Sequence, residues 1–247
     1  MTEQGIHIAL ASEHLGSFFG IPITNTVVMS FAVILLIGCI VFFVRRSLSV
    51  VPGRVQVVFE MLFTGVLDYM AETLENEKLA RKLFPVLVTI FLFVLIANLV
   101  EFVPGVGSIG LLHGEGEATP ILRSMNTDLN MTLALAFVAV FTVEVFGIMT
   151  LGALRYGKKF VNLSSAMGFF VGIIEIFSEA ARLVSFSFRL FGNIFAGEVI
   201  ILVIQHFVPM VLPVPMMAFE IFVGFVQAAI FALLTLFFVK IAVAEAH

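Results

Sequence analysis

Between about Ser164 and His206 the chain is apolar enough for a bilayer, yet it carries Glu175, Glu179, Arg182, Arg189, Asn193, Glu198 and Gln205. An arginine held at mid-membrane costs from about 2.5–3.5 to about 10–17 kcal/mol, depending on the reference state. A chain that keeps such groups is expected to move something charged. On a helix turning about 100° per residue, Glu175, Ser178, Arg182, Ser185, Arg189 and Asn193 fall within an arc of roughly 80°. They form one polar stripe on an apolar helix. Glu198 and Gln205 share a second direction, roughly 120–140° from Glu175, so the helix shows polar groups to two surroundings, one towards each end.

These residue types limit the chemistry. A guanidinium stays protonated and cannot carry a proton. It can attract a passing carboxylate, lower its pKa and favour release of its proton. Arg182 has Glu179 three residues before it and fits a structural ion pair, whereas Arg189 has no acid three or four residues away on either side. Arg189 is therefore the sharper functional candidate. Glu220 and Gln227, seven apart, share a face of the last apolar helix. With Glu198 they suit a watered ion path, carboxylates relaying protons and the amide holding water; the bland alternative is a hydrogen-bonded joint between helices. Glu175 and Ser178 suit a second path at the other end, set against ordinary solvation of a helix surface. Glu101 and Glu144 are further candidates for the first path, or plain interfacial acids.

Residues that must be placed so deeply need an integral membrane scaffold. Of 247 residues, 61% are hydrophobic and 12% charged, about half the charged fraction of a soluble domain. The net charge of −4 and the lack of a Lys/Arg block give no sign of nucleic-acid binding, and the single Cys39 excludes an internal disulfide. The N-terminus lacks the basic segment of a signal peptide, so the first apolar run is expected to be retained.

An extramembrane lead is expected over 1–25, with a short surface helix, followed by a single membrane domain over 26–247. Crossings are expected at about 26–44, 83–103, 130–154, 164–206 and 216–244, with an amphipathic interfacial helix at about 55–80. Helix 164–206 would be about 65 Å long against a hydrocarbon core of about 30 Å. It must incline strongly or break near Gly192 or Gly197; a strong incline is the favoured reading. Nine of the 13 Lys/Arg form three groups, Arg45, Arg46 and Arg54; Lys78, Arg81 and Lys82; Arg155, Lys158 and Lys159. Five crossings put all three on one side, which places the N-terminus outside and the C-terminus in the cytoplasm. Gly168 and Gly172 form a GxxxG packing pair. GVGSIG at 105–110 follows no strand and is a chance match to a dinucleotide motif. No Walker A, HExxH or GxSxG pattern occurs, and the five histidines lack ligand-like spacing.

The run SFRLFGNIFAGE closely resembles the signature of the ATP synthase subunit a family, the membrane stator component of the rotary F-type enzyme. VPGRVQVVFE, FPVLVTIFLFVLIANLVEFVPG, TDLNMTLALA and QAAIFALLTLFFVKIA extend the similarity over most of the chain from about residue 26. The resemblance implies an all-α membrane protein of about six helices, one of them interfacial, the last two a long, strongly tilted hairpin against a rotor. It implies that Arg189 faces the essential carboxylate of a ring of c subunits and that Glu198, Glu220 and Gln227 line an outer half-channel. Asn193 then stands beside the arginine, and Glu175 with Ser178 marks the inner exit. Members often place a histidine opposite the glutamate where this chain has Glu198 and Glu220, a departure in detail. The implied partners are the c-ring, b-type peripheral stalk subunits, the F1 head indirectly and membrane lipid. Protons are the substrate, no cofactor is implied, and the location is a bacterial inner membrane. A proton-coupled secondary transporter would need a solute pocket and two related halves, and an intramembrane enzyme a nucleophile or metal cluster.

Overall fold

A computed structural model describes residues 12–18, 20–107, 110–113, 117–160, 166–209 and 211–244. Seven helices occur among them: α1 Asn25–Ser47, α2 Arg54–Leu74, α3 Glu77–Val100, α4 Leu129–Leu151, α5 Ala153–Gly157, α6 Ala166–Phe207 and α7 Pro213–Ala244. Five of these, α1, α3, α4, α6 and α7, are long and apolar enough to cross a membrane. The protein is an all-α, multi-pass membrane protein. Only two small antiparallel hairpins interrupt it among the described residues, β1 His14–Phe18 with β2 Ile21–Thr24, and β3 Gly110–His113 with β4 Glu117–Pro120.

Local chemistry sets where the helices begin and end. Thr24 Oγ1 accepts the Val27 N–H at 3.4 Å at the start of α1, and Arg45 and Arg46 fall in its last turn, where cations offset the helix dipole. Glu75 takes the left-handed conformation (φ 53°) and ends α2. Asn76 Oδ1 then accepts the Leu79 N–H at 3.1 Å and starts α3. The stretch 77–80, expected as the end of the interfacial helix, is thus the first part of α3. Asp128 Oδ1 accepts the Asn130 N–H at 2.9 Å at the head of α4. Pro213 occupies the first position of α7, where its missing N–H costs nothing. α6 runs unbroken past Gly192 and Gly197 for 42 residues.

His14–Thr24 form a hairpin where a surface helix is expected. Gly20 (φ 80°) turns the chain between the two strands, and Pro22 lacks a helix-bonding N–H. Residues 1–11 of the expected lead lie outside the described residues. So do 161–165, which include the expected start of the polar helix at Ser164, and residues 108–109 of the GVGSIG match.

The chain forms two compact units. The first comprises the described residues of Met1–Leu36, Leu92–Leu135 and Ser185–Ala229. Its buried apolar side chains include Met29, Val33, Val94, Met125, Leu190 and Ile194. A polar network is threaded among them. Asn126 Nδ2 donates to Asn98 Oδ1 at 2.6 Å, and Asn98 Nδ2 donates to the Gly224 carbonyl at 2.9 Å. Thr26 donates to Asp128 Oδ2 at 3.0 Å, and the Thr132 and Ser187 hydroxyls stand 3.0 Å apart. Buried polar groups so satisfied fix one arrangement, since any other would leave them unpaired.

The second unit comprises the described residues of Ile37–Phe91, Ala136–Val184 and Ile230–His247. Its core gathers Met70, Leu74, Leu83, Phe146, Tyr156 and Leu236 with their neighbours. Two glycines allow close approach: Gly147 receives the Tyr156 ring, and Gly172 lies against the Phe160 carbonyl. The expected GxxxG packing thus becomes, at Gly172, contact of α6 with the chain that follows α5.

Candidate functional site

In the first unit, α6 carries Ser185, Arg189 and Asn193 at four-residue intervals on one face. Arg189 Nη2 donates to Ser185 Oγ at 3.3 Å, and Asn193 Nδ2 donates to the Arg189 carbonyl at 2.9 Å. Both partners are neutral. Among the described residues no acid forms an ion pair with Arg189, so none of them compensates its charge.

Further along α6, Gly197, next to Glu198, meets Glu220 of α7. The Glu220 carboxyl fills the place where a Cβ on residue 197 would stand. Glu220 is buried, and its Oε1 has no hydrogen-bond partner among the described residues. Glu198 Oε2 lies 3.8 Å from Arg123 Nη2. Gln227, two turns after Glu220, is half-buried on the same helix. Glu101, just beyond the end of α3, joins this group. Burial, with the negative charges of Glu198 and Glu220, pushes its carboxyl up to about 8; the Ser124 hydrogen bond and the Arg123 charge act the other way. The fold therefore brings Glu101, Glu198 and Glu220 into one acidic cluster with Arg123 beside it. Arg123 was not singled out by sequence. Its signal was present, as the lone cation of the loop over 104–129.

In the second unit, Glu175 is held by Lys159, with Nζ 2.6 Å from Oε1, and the same Nζ lies 3.5 Å from Glu179. Arg182 Nη1 donates to both Glu179 oxygens at 2.8 Å and stacks over the Phe238 ring at 4.2 Å. Arg182 is thus the structural ion pair that its spacing predicts. Ser178 is exposed. Glu144, considered above for the outer path together with Glu101, belongs instead to this unit, facing Tyr156, Lys159, Glu179 and Arg182. An open cavity of about 510 Å3 is lined by Tyr156, Lys159, Glu175, Arg155, Lys158 and neighbouring apolar side chains. No cluster that could hold a metal ion occurs among the described residues.

Within the first unit, a fixed positive charge on α6 and a cluster of buried carboxyl groups are the side chains with chemistry to offer. A sequence model described as ATP synthase A chain matches residues 26–240. The chain belongs to the ATP synthase A chain family. It is 30% identical over 226 residues to the ATP synthase subunit a of Moorella thermoacetica, an alignment covering 92% of each protein. It is 31% identical to the subunit a of Mycobacterium bovis over 96% of this chain and 95% of that protein. A Propionigenium modestum protein named ATP synthase subunit a, sodium ion specific, is 31% identical over 96% of this chain and 80% of its own length. Membership in the ATP synthase A chain family makes this a membrane subunit of that complex, a channel component and not its catalytic part.

Proposed function

We propose that this chain is the proton-translocating stator of a rotary ATP synthase, with Arg189 as the charge that separates two half-paths. The observation that carries the reading is Arg189 itself, an obligate cation on an apolar helix whose only side-chain hydrogen-bond acceptor among the described residues is the neutral Ser185. Such a charge is costly unless a partner outside the chain supplies the anion. A carboxylate of a turning c-ring meets that need. Protons enter from the outside past Glu220, Gln227 and Glu198 and neutralise a ring carboxylate as it leaves Arg189, with Asn193 holding the arginine's helix turn. A neutral carboxyl crosses lipid at far lower cost than an ionised one. After most of a turn it reaches the inner path near Glu175 and Ser178, releases its proton and is drawn to Arg189. Each charge crossing the full potential releases about 2.3 kcal/mol per 100 mV.

The proposed setting is a bacterial inner membrane with the N-terminus outside and the C-terminus cytoplasmic, following the Lys/Arg bias. The 42-residue α6 exceeds the hydrocarbon thickness, which favours a strongly inclined α6–α7 hairpin beside the ring. The b-type stalk subunits hold the chain against the turning ring, and the F1 head is reached indirectly.

The test is Arg189→Ala in the complete complex, reconstituted in vesicles. Assembly with the c-ring should persist while proton-driven ATP synthesis is abolished. Normal synthesis would remove the role given to Arg189. Synthesis supported by a sodium gradient but not by a proton gradient would transfer the same geometry to sodium.

A further inference from the structure

Glu144 is the single charged residue of α4 and lies in the second unit, apart from the acids of the outer path. Gly147, three residues on and so on the same side of the helix, leaves a notch in which the Tyr156 ring sits. A Cβ at 147 would stand 2.5 Å from Tyr156 Cε2 and 3.1 Å from its hydroxyl. That notch brings the phenol to Glu144, near enough for the two groups to interact. Glu144 Oε1 and the Tyr156 hydroxyl are nevertheless both buried with no partner at hydrogen-bond geometry among the described residues. Burial of two such groups is costly unless their unused capacity serves a purpose.

The surrounding charges make Glu144 distinctive. Lys159 follows α5, and Glu179 and Arg182 lie on α6; all three face it. Glu175 is held by Lys159 at 2.6 Å and Glu179 by Arg182 at 2.8 Å. Glu144 has no cation at ion-pairing distance among the described residues. Tyr156 has a second neighbour, since it also lines the open cavity of about 510 Å3 with Arg155, Lys158 and Lys159. Tyr156 therefore borders both the buried carboxyl and the open cavity.

We infer that Glu144 and Tyr156 form a proton relay of the inner half-path, and that Glu175 is its ion-paired support, not its carrier. The inference rests on the proton-stator reading above. A proton taken up by the Glu144 carboxylate passes to the phenol oxygen as the phenol releases its own proton towards the cavity. Reorientation of the hydroxyl restores the pair, no net charge is left on the ring, and the sequence runs backwards when the flow reverses. The phenol has both a donor and an acceptor, as this step requires.

The experiment uses the complete complex in vesicles, with passive proton conduction and ATP-driven pumping as readouts. Tyr156→Phe keeps the ring in the Gly147 notch and removes only the hydroxyl. Glu144→Gln keeps the shape of the carboxyl and removes its titration, and Glu144→Asp restores an acid. Glu144→Gln and Tyr156→Phe should each slow conduction by about tenfold or more. The double variant should be no slower than the worse single one, and Glu144→Asp should recover part of the rate. The dependence on inner pH should be altered in Glu144→Gln. If Glu144→Gln fails to assemble, Tyr156→Phe decides. Wild-type conduction in Tyr156→Phe, beside an inactive Arg189→Ala, would overturn the relay and leave the stator reading intact. Normal ATP-driven pumping in Arg189→Ala as well would sink the underlying reading.

Discussion

The carboxyl of Glu220 occupies the space above Gly197 that any other residue would fill with its Cβ. The glycine beside Glu198 is therefore the seat of the Glu220 carboxyl, which a missing side chain admits to α6. Gly197→Ala should push the Glu220 carboxyl aside. Because that carboxyl ends a flexible side chain, the stability cost should fall at the low end of the about 1–3 kcal/mol usual for overpacking. Proton conduction should nevertheless fall by about tenfold, as expected for a displaced proton-transfer group. Glu220→Asp, a shorter acid, should restore part of it in the Gly197→Ala background. Thermal unfolding and vesicle acidification measured on the same preparations separate the two effects.

Glu101 gives a pH signature. Its carboxyl is raised from an ordinary 4.5 to about 8, so between those values the folded protein holds a proton that the unfolded chain has lost. Stability contributed by this group is full below about pH 4.5 and declines as pH rises to about 8. Glu101→Gln cannot ionise and should show a flatter dependence of Tm on pH across that window. Its advantage over the wild type should be larger at pH 8 than at pH 5. If Glu101 stands in the outer path, the alkaline limb of conduction near pH 8 on that side should also disappear in the variant.

What could be read from sequence was local. Arg182 with Glu179 and Arg189 without an acid are relations of three and four residues on one helix, and periodicity reveals both. The Asn76 cap and the Gly20 turn were likewise on the page, but hydropathy windows overrule such short signals. Lys159 with Glu175 spans the connection between α5 and α6, and Glu220 over Gly197 joins two helices, so neither follows from spacing. Glu144 was considered with the outer acids because an apolar helix does not declare how deep a lone carboxyl lies. The packing of Tyr156 into Gly147 settles its surroundings.

Arg123 sets the electrostatics of the acidic cluster in the first unit. Its side chain is 10% exposed and that of Glu198 26%, with 3.8 Å between their charged atoms. Removing the cation should cost more than the about 0–1 kcal/mol of an exposed pair. It should cost less than the about 3–5 kcal/mol of a broken buried one, since Glu198 keeps some contact with its surroundings. Arg123→Gln should therefore lower Tm and slow conduction, and adding Glu198→Gln should recover Tm but not conduction. A double-mutant cycle on Tm with no coupling between the two positions would show that the pair contributes nothing to the fold.

Gly172 provides the counterpart to Gly197. A Cβ there would run into the backbone carbonyl of Phe160, which cannot swing away as a side chain does. Either α6 or the segment after α5 must move, and that segment also carries Lys159, the partner of Glu175 at 2.6 Å. Gly172→Ala should therefore cost at least the upper part of the about 1–3 kcal/mol range for overpacking. Its Tm should fall well below that of Gly197→Ala, and less complex should assemble. Conduction per assembled complex should fall less than in Gly197→Ala, because no carboxyl is displaced. Equal loss of Tm in the two variants would mean that the Phe160 contact yields as readily as a flexible side chain.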